Sequence, residues 1–226
     1  GSVRVVASVS ALAESLPGDI AEFVARYPSV RVRLDERLSS EVVTDIREGA
    51  ADLGVVWDAV AAGELRVIPY RYDHLHVVMP AAHPLAVQRR VRFEQTLDYP
   101  ILCVSPGGLL DTLIRRQAAL AGRTLDYRMQ VSSLDASARM VAAGMGLAIM
   151  PSEAVAPQVT AAGLVMLPLT DPWAKRRLVL LTRVDSLLSA ASRQLVGHLS
   201  DRAPAGTARR SAARRKVVPW KAVVSR

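Results

Sequence analysis

Four short polar stretches hold the residues with chemistry to offer: Ser8-Val9-Ser10, Ser39-Ser40, Ser105-Pro106-Gly107 and Ser132-Ser133. Each stands between a run that reads as a strand and a run that reads as a helix. A helix N-terminus leaves its first N–H groups without partners and carries the positive end of the helix dipole, and a hydroxyl adds one more donor. Four such ends facing one cleft would hold a small anion, such as a carboxylate, sulfate or phosphate, without any lysine or arginine. Each serine also has a plainer use, capping its own helix, and both uses stay open at this point. Trp57-Asp58 closes a short apolar run and could add an aromatic wall and a polar contact, or belong to the core.

Other chemistry is sparse. His74 and His76 are two residues apart on one strand face, a spacing that suits a metal, but no third ligand accompanies them and a structural role is expected. His83 precedes a proline, and His198 falls near the end of the last helix, where a cation suits the dipole. The chain contains no GxxxxGK[ST], GxSxG, HExxH or CxxC motif, so neither phosphoryl nor acyl transfer is indicated. A non-enzymatic protein with no cofactor and no metal is expected. Cys103, the single cysteine, lies in the apolar run from Ile101 to Val104 and reads as a small buried hydrophobe.

The elements that must position the serines follow from periodicity. Val3 to Ala7 reads as a strand and Ala11 to Arg26 as a helix with an apolar stripe, interrupted by Pro17-Gly18. Val30 to Leu34 alternates as a strand, Ser39-Ser40 caps a helix carrying Val42, Val43 and Ile46 inward, and Asp52 to Trp57 is a strand of the fully buried kind. This is a βαβαβ order, whose right-handed crossovers place the serine loops at the carboxyl ends of parallel strands. Leu65 to Tyr70 and His74 to Met79 read as two strands. After Pro80 the device repeats: strand Ile101 to Val104 and helix Leu109 to Ala121, then strand Tyr127 to Val131 and a helix capped by Ser132 or Ser133. Gly144 and Gly146 turn that helix into the strand Leu147 to Met150, which Pro151 closes. Helix Glu153 to Ala162, strands Leu164 to Leu167 and Arg177 to Thr182, and a helix from Leu187 to Leu199 complete an α/β body of two similar lobes.

Composition bounds the partners. Of the 226 residues half are apolar, enough for real cores, and no run of eighteen apolar residues could span a bilayer. Gly1 to Arg4 carries no signal-peptide pattern, so a soluble cytoplasmic protein with no membrane association is expected. The net charge is +8, but eight of the 29 basic residues lie from Arg202 onward with no acid among them. A formally neutral body with a basic tail over 201–226 results, and any attraction to nucleic acid would reside in the tail.

Four segments in this order and spacing resemble a known family: LPGDIAEFVARYPSVRVRL from Leu16 to Leu34, REGAADLGV from Arg47 to Val55, MPAAHPL from Met79 to Leu85, and VAAGMGLAIMP from Val141 to Pro151. They are similar to the effector-binding domain of LysR-type transcriptional regulators, over Val3 to about Leu199. The resemblance implies a periplasmic-binding-protein-like fold of type II. Residues 3–79 and 167–200 would form one α/β subdomain and residues 80–166 the other, joined by crossover strands near Val78 to Pro80 and Met166 to Leu169. It further implies a small-molecule effector, often an anion or aromatic carboxylate, touching Ser8, Val9, Ser10, Ser39, Ser40, Ser105, Pro106, Gly107 and Ser132 or Ser133. A homodimer is implied too, with the first helix (Asp19 to Tyr27) of one copy against the second lobe of the other. The family's helix-turn-helix is not in this chain, so operator DNA would be contacted only through such a domain elsewhere. A solute receptor delivering a small anion to a transporter uses the same fold and is the alternative.

Overall fold

In the computed structural model, residues 1–125 and 127–203 are described; the basic stretch beyond Ala203 lies outside them. The first lobe is built around β1 (Ser2–Ala7), which pairs in parallel with both β2 (Arg31–Glu36) and β3 (Leu53–Trp57). Successive side chains of a strand point to opposite faces. Val3 and Val5 accordingly join one core layer with Phe23 and Leu195, and Val6 joins the other with Val42 and Ile46. Helix α1 (Val9–Ala13) and helix α2 (Leu16–Arg26) follow β1, and α3 (Ser39–Glu48) follows β2. The single helix expected from Ala11 to Arg26 is thus two, because Pro17 sits in the first turn of α2, where a missing N–H costs nothing, and forces a fresh start.

The long strand β4 (Arg66–Pro80) replaces the two strands expected between Leu65 and Met79, with one irregularity between Pro69 and Arg71. It ties the lobes together. The second lobe contains α4 (Phe93–Thr96), β5 (Leu102–Val104), α5 (Leu109–Leu120), β6 (Met129–Val131), α6 (Leu134–Ala142), β7 (Ala148–Pro151), α7 (Ser152–Ala161) and β8 (Leu164–Pro168). The chain returns to the first lobe through β9 (Lys175–Thr182) and ends the described body with α8 (Ala190–Ser200). Up to His74, β4 pairs with β9; from Leu75 on it pairs with β7 and β8. The sheet order is β2-β1-β3-β9-β4-β7, with β8 also on β4, while β5 and β6 form a parallel pair of their own. A separate apolar core, including Val77, Ile114, Val141 and Ile149, fills the second lobe.

The turn from α6 into β7 depends on two glycines. Gly144 has φ +75°, the left-handed residue that ends a helix, and Gly146 has φ +145°. A Cβ on Gly146 would stand 2.6 Å from the Pro100 carbonyl oxygen. That closeness lets Leu147 N–H donate to the same carbonyl at 2.8 Å and draws Ile101 and Leu147 into a parallel bridge.

Candidate functional site

Between the lobes, Ser8, Val9, Ser10, Arg37, Leu38, Ser39, Trp57, Ser105, Gly108, Leu109, Leu110 and Arg176 line a small solvent-open cleft. Six of the residues singled out from sequence meet there: Ser8, Val9 and Ser10 after β1, Ser39 at the start of α3, Trp57 at the end of β3, and Ser105 after β5. Parallel strands end on one side of their sheet, so the loops after β1 and β3 fall together. Ser8 is tied down by its N–H donating to the Val55 carbonyl at 3.1 Å, yet its side chain makes no cap bond to α1.

The other expected residues lie elsewhere. Ser40 faces a separate depression with Arg37, Glu41, Thr44 and Asp45, one residue and about 100° around the helix from Ser39. The expected cap of α3 by Ser39-Ser40 gives way to Leu38 at the N-cap, whose N–H donates to Glu41 Oε2 at 2.8 Å. Pro106 and Gly107 are not among the cleft residues. Gly107, with φ +75°, donates its N–H to Asp111 Oδ2 at 2.9 Å, so that amide serves its own helix. Ser132 and Ser133 are exposed outside the cleft, and Ser133 Oγ accepts from Ala136 N–H at 3.2 Å as the cap of α6. For Ser133 the capping use is the one realised.

These placements change the electrostatics. Helix α1 is a single turn of five residues, too short for a dipole of consequence at Ser8 and Ser10. The acids Glu41 and Asp111 sit in the first turns of α3 and α5, and Arg115 and the Gly107 N–H bind Asp111. Burial alone would raise the Asp111 carboxyl, but bonds from Gly107, Tyr127 and Arg115 outweigh it and hold the group below its ordinary range. Burial and the neighbouring Asp111 push the Cys103 thiol up to about 11. Positive charge in the cleft therefore comes from Arg37 and Arg176, contrary to the expectation of an anion site without arginine.

Arg176 is the less legible of the two. It lies on β9 in phase with Leu178 and Leu180, and it is only 3% exposed. An arginine sharing the strand face of core leucines was the available signal, and the expected strand began one residue too late to include it. Its guanidinium stands 5.3 Å from the centre of the Trp57 ring and pairs with buried Asp73 on β4. Arg176 Nε and Asp73 Oδ1 have no hydrogen-bond partner among the described residues. His74 and His76 meet edge to face at 4.9 Å, with His74 Nε2 2.9 Å from the Leu169 carbonyl, and no three-ligand metal group occurs among the described residues.

The family described as LysR substrate binding domain matches residues 1–204. The chain belongs to that family. Among curated relatives, this LysR substrate-binding domain is 26% identical over 192 residues to the HTH-type transcriptional regulator YbhD of Escherichia coli, covering 85% of the chain and 60% of YbhD. It is 27% identical over 159 residues to the regulator CysB of Burkholderia cenocepacia, covering 70% of the chain and 51% of CysB. The chain thus spans only part of the length of these relatives. In structure it is similar to the Synechocystis CcmR regulatory domain in complex with 2-PG, at TM-score 0.81 and 18% identity, covering 91% of this chain and 99% of that one. It is also similar to the BenM effector binding domain with its effector benzoate, at TM-score 0.77 and 21% identity, covering 88% and 90%. The QuiR effector binding domain in complex with shikimate aligns at TM-score 0.77 and 18% identity, covering 89% and 96%. The fold is the periplasmic-binding-protein-like type II architecture of these effector domains.

Proposed function

We propose that the domain senses a small anion, a carboxylate foremost, held between its lobes by Ser8, Ser10, Ser39 and Ser105 with charge supplied by Arg37 and Arg176. The observation that carries this reading is the convergence of serines from both lobes on one cleft that the nearly buried Arg176 also borders. Benzoate and shikimate, the ligands of two structural neighbours, are both carboxylates. Residues 3–74 with 175–200 and residues 75–174 act as the two moving subdomains, in place of the expected 3–79 with 167–200 and 80–166, because Leu75, Val77, Met79, Leu167, Leu169 and Ala174 pack in the second lobe's core. The anion favours one arrangement by its differential affinity, which is all a ligand has with which to shift an equilibrium.

The domain works without catalytic turnover, in the cytoplasm, as the ligand-reading part of a LysR-type regulator. Operator DNA is contacted by a helix-turn-helix outside this chain. Dimerisation uses the exposed face of α2, where Ala21, Glu22, Ala25 and Arg26 are open, against the second lobe of a partner copy. Asp19 and Phe23 on the same helix are buried and serve the core instead.

The test is calorimetry of benzoate, shikimate and sulfate against the wild type, Ser10→Ala with Ser39→Ala, and Ser40→Ala. The double variant is expected to weaken a bound anion by roughly 1–3 kcal/mol, the size of lost hydrogen bonds to a charged group, and Ser40→Ala to leave it unchanged. Equal affinity in the double variant would reject the cleft assignment.

A further inference from the structure

Behind the cleft, where β4 changes partners, lies a buried charge cluster that the serine loops do not account for. Asp73 and Arg176 stand opposite each other in the β4–β9 register and form an ion pair whose side chains are 0% and 2% exposed. Glu14, in the break between α1 and α2, has both carboxyl oxygens buried without a hydrogen-bond partner among the described residues. On the far side Asp73 meets a second depression with Tyr72, His74, Ser152, Glu153 and Lys175. The charge of one guanidinium is therefore shared between its direct partner Asp73, the nearby Glu14 carboxyl acting through its charge, and whatever anion enters the cleft. To that anion the unpartnered Nε can still donate.

Resting on the anionic effector reading above, we propose that the cleft is proton-gated: Arg176 accepts an anionic effector when Glu14 holds a proton, and loss of that proton releases the effector. The groups acting on Glu14 are Asp73 and Arg71 on β4, Arg176 on β9 and Glu153 on α7. Glu153 itself accepts from Ser15 Oγ at 3.2 Å, and Arg71 is committed to Asp19 at 2.8 Å. Burial raises the Glu14 carboxyl to about 9, Asp73 and Glu153 reinforce this, and Arg176 and Arg71 oppose it. With Glu14 neutral, Asp73 and Arg176 cancel. An effector carboxylate then adds one buried negative charge, and ionised Glu14 would add a second against the same arginine, which a low-dielectric interior resists. Glu14 is thus a positioning residue, acting on the effector only through Arg176. Because Asp73 and Arg176 lie on the two strands that join the lobes, protonation and lobe arrangement share the same residues.

Two measurements on the 226-residue chain test this. Infrared difference spectra between wild type and Glu14→Gln, without ligand, are expected to show a protonated carboxyl at pH 7 that the variant lacks. Calorimetry with benzoate, and with sulfate as a second anion, is expected to give a Kd in the wild type that is constant within twofold from pH 6.5 to 7.5. Above the Glu14 pKa it should weaken toward the tenfold per pH unit that one linked proton allows. Glu14→Gln should give a flat profile, and Arg176→Gln should lose at least tenfold in affinity at pH 7. An ionised Glu14 at pH 7, or the same pH profile in wild type and Glu14→Gln, overturns the proton gate and leaves the effector reading standing. If neither anion binds at any pH, the effector reading fails and the gate fails with it.

Discussion

Asp19 shows how a residue expected at an interface serves the interior. It is buried on α2 and accepts from the Tyr70 hydroxyl, from Arg71 at 2.8 and 2.9 Å, and from Arg202 at 2.9 Å, while its carbonyl lies 3.0 Å from His198 Nε2. Burial and the Asp19 bond push the Tyr70 phenol above its ordinary range. Asp19→Ala would strip Arg71 and the buried Tyr70 hydroxyl of their shared acceptor, while Arg202 would keep only Glu22 as a counter-charge. A loss of about 3 kcal/mol, at the lower end for a broken buried pair because both arginines are partly exposed, is expected from urea unfolding. Glu14 sets a second expectation, in ligand-free protein. Its carboxyl binds a proton more tightly folded, at about 9, than at its ordinary 4.5, so the folded state holds the extra proton between those values. Its contribution to stability is full below about 4.5 and is lost as pH rises through about 9. Glu14→Gln should therefore gain in melting temperature relative to wild type as pH is raised from 5 to 9, and a constant difference would refute the burial of the charge.

At the scale of elements, the strand–serine–helix device was readable because caps, periods and breakers are local. Gly144 and Gly146 separate two reasons for a glycine within three residues. Nothing lies within 4 Å of a Cβ on Gly144, so Gly144→Ala carries only the left-handed backbone penalty, about 1 kcal/mol. A Cβ on Gly146 meets the Pro100 backbone at 2.6 Å, and Gly146→Ala should cost visibly more in thermal unfolding, with Gly144→Ala as the reference. Equal losses would show that β7 yields to Pro100. The break at Glu14 and Ser15 was half legible: Pro17-Gly18 announced an interruption, but not that α1 would be a single turn whose dipole contributes little to Ser8 and Ser10.

For the whole molecule, β4 and β9 join two separately cored lobes, and a ligand touching both lobes stabilises the arrangement it binds. A hundredfold excess of effector over its Kd is expected to add about 2.7 kcal/mol to unfolding stability. Hydrogen exchange should slow around Asp73 to Leu75 and Lys175 to Arg177 if the joint itself is ordered by binding. Slowing confined to the serine loops would place the response in the loops alone. No helix among the described residues is long and apolar enough to cross a membrane.

The sequence by itself determined the class of elements, the two-lobed α/β order and the family, because hydrophobic period, glycine stops and helix starts are written within a few residues of where they act. It also placed Ser8, Ser10, Ser39 and Ser105 in the loops between strands and helices, and the facing of the two lobes brought them together. Only the tertiary structure decided that Ser40 turns away, that Ser133 caps its own helix, and that Arg176 reaches the cleft. The reason is physical: facing depends on strand phase and on helix rotation of about 100° per residue, quantities that a shift of one position reverses. The pairing of Asp73 with Arg176 spans 103 positions of chain and exists only because β4 and β9 run side by side.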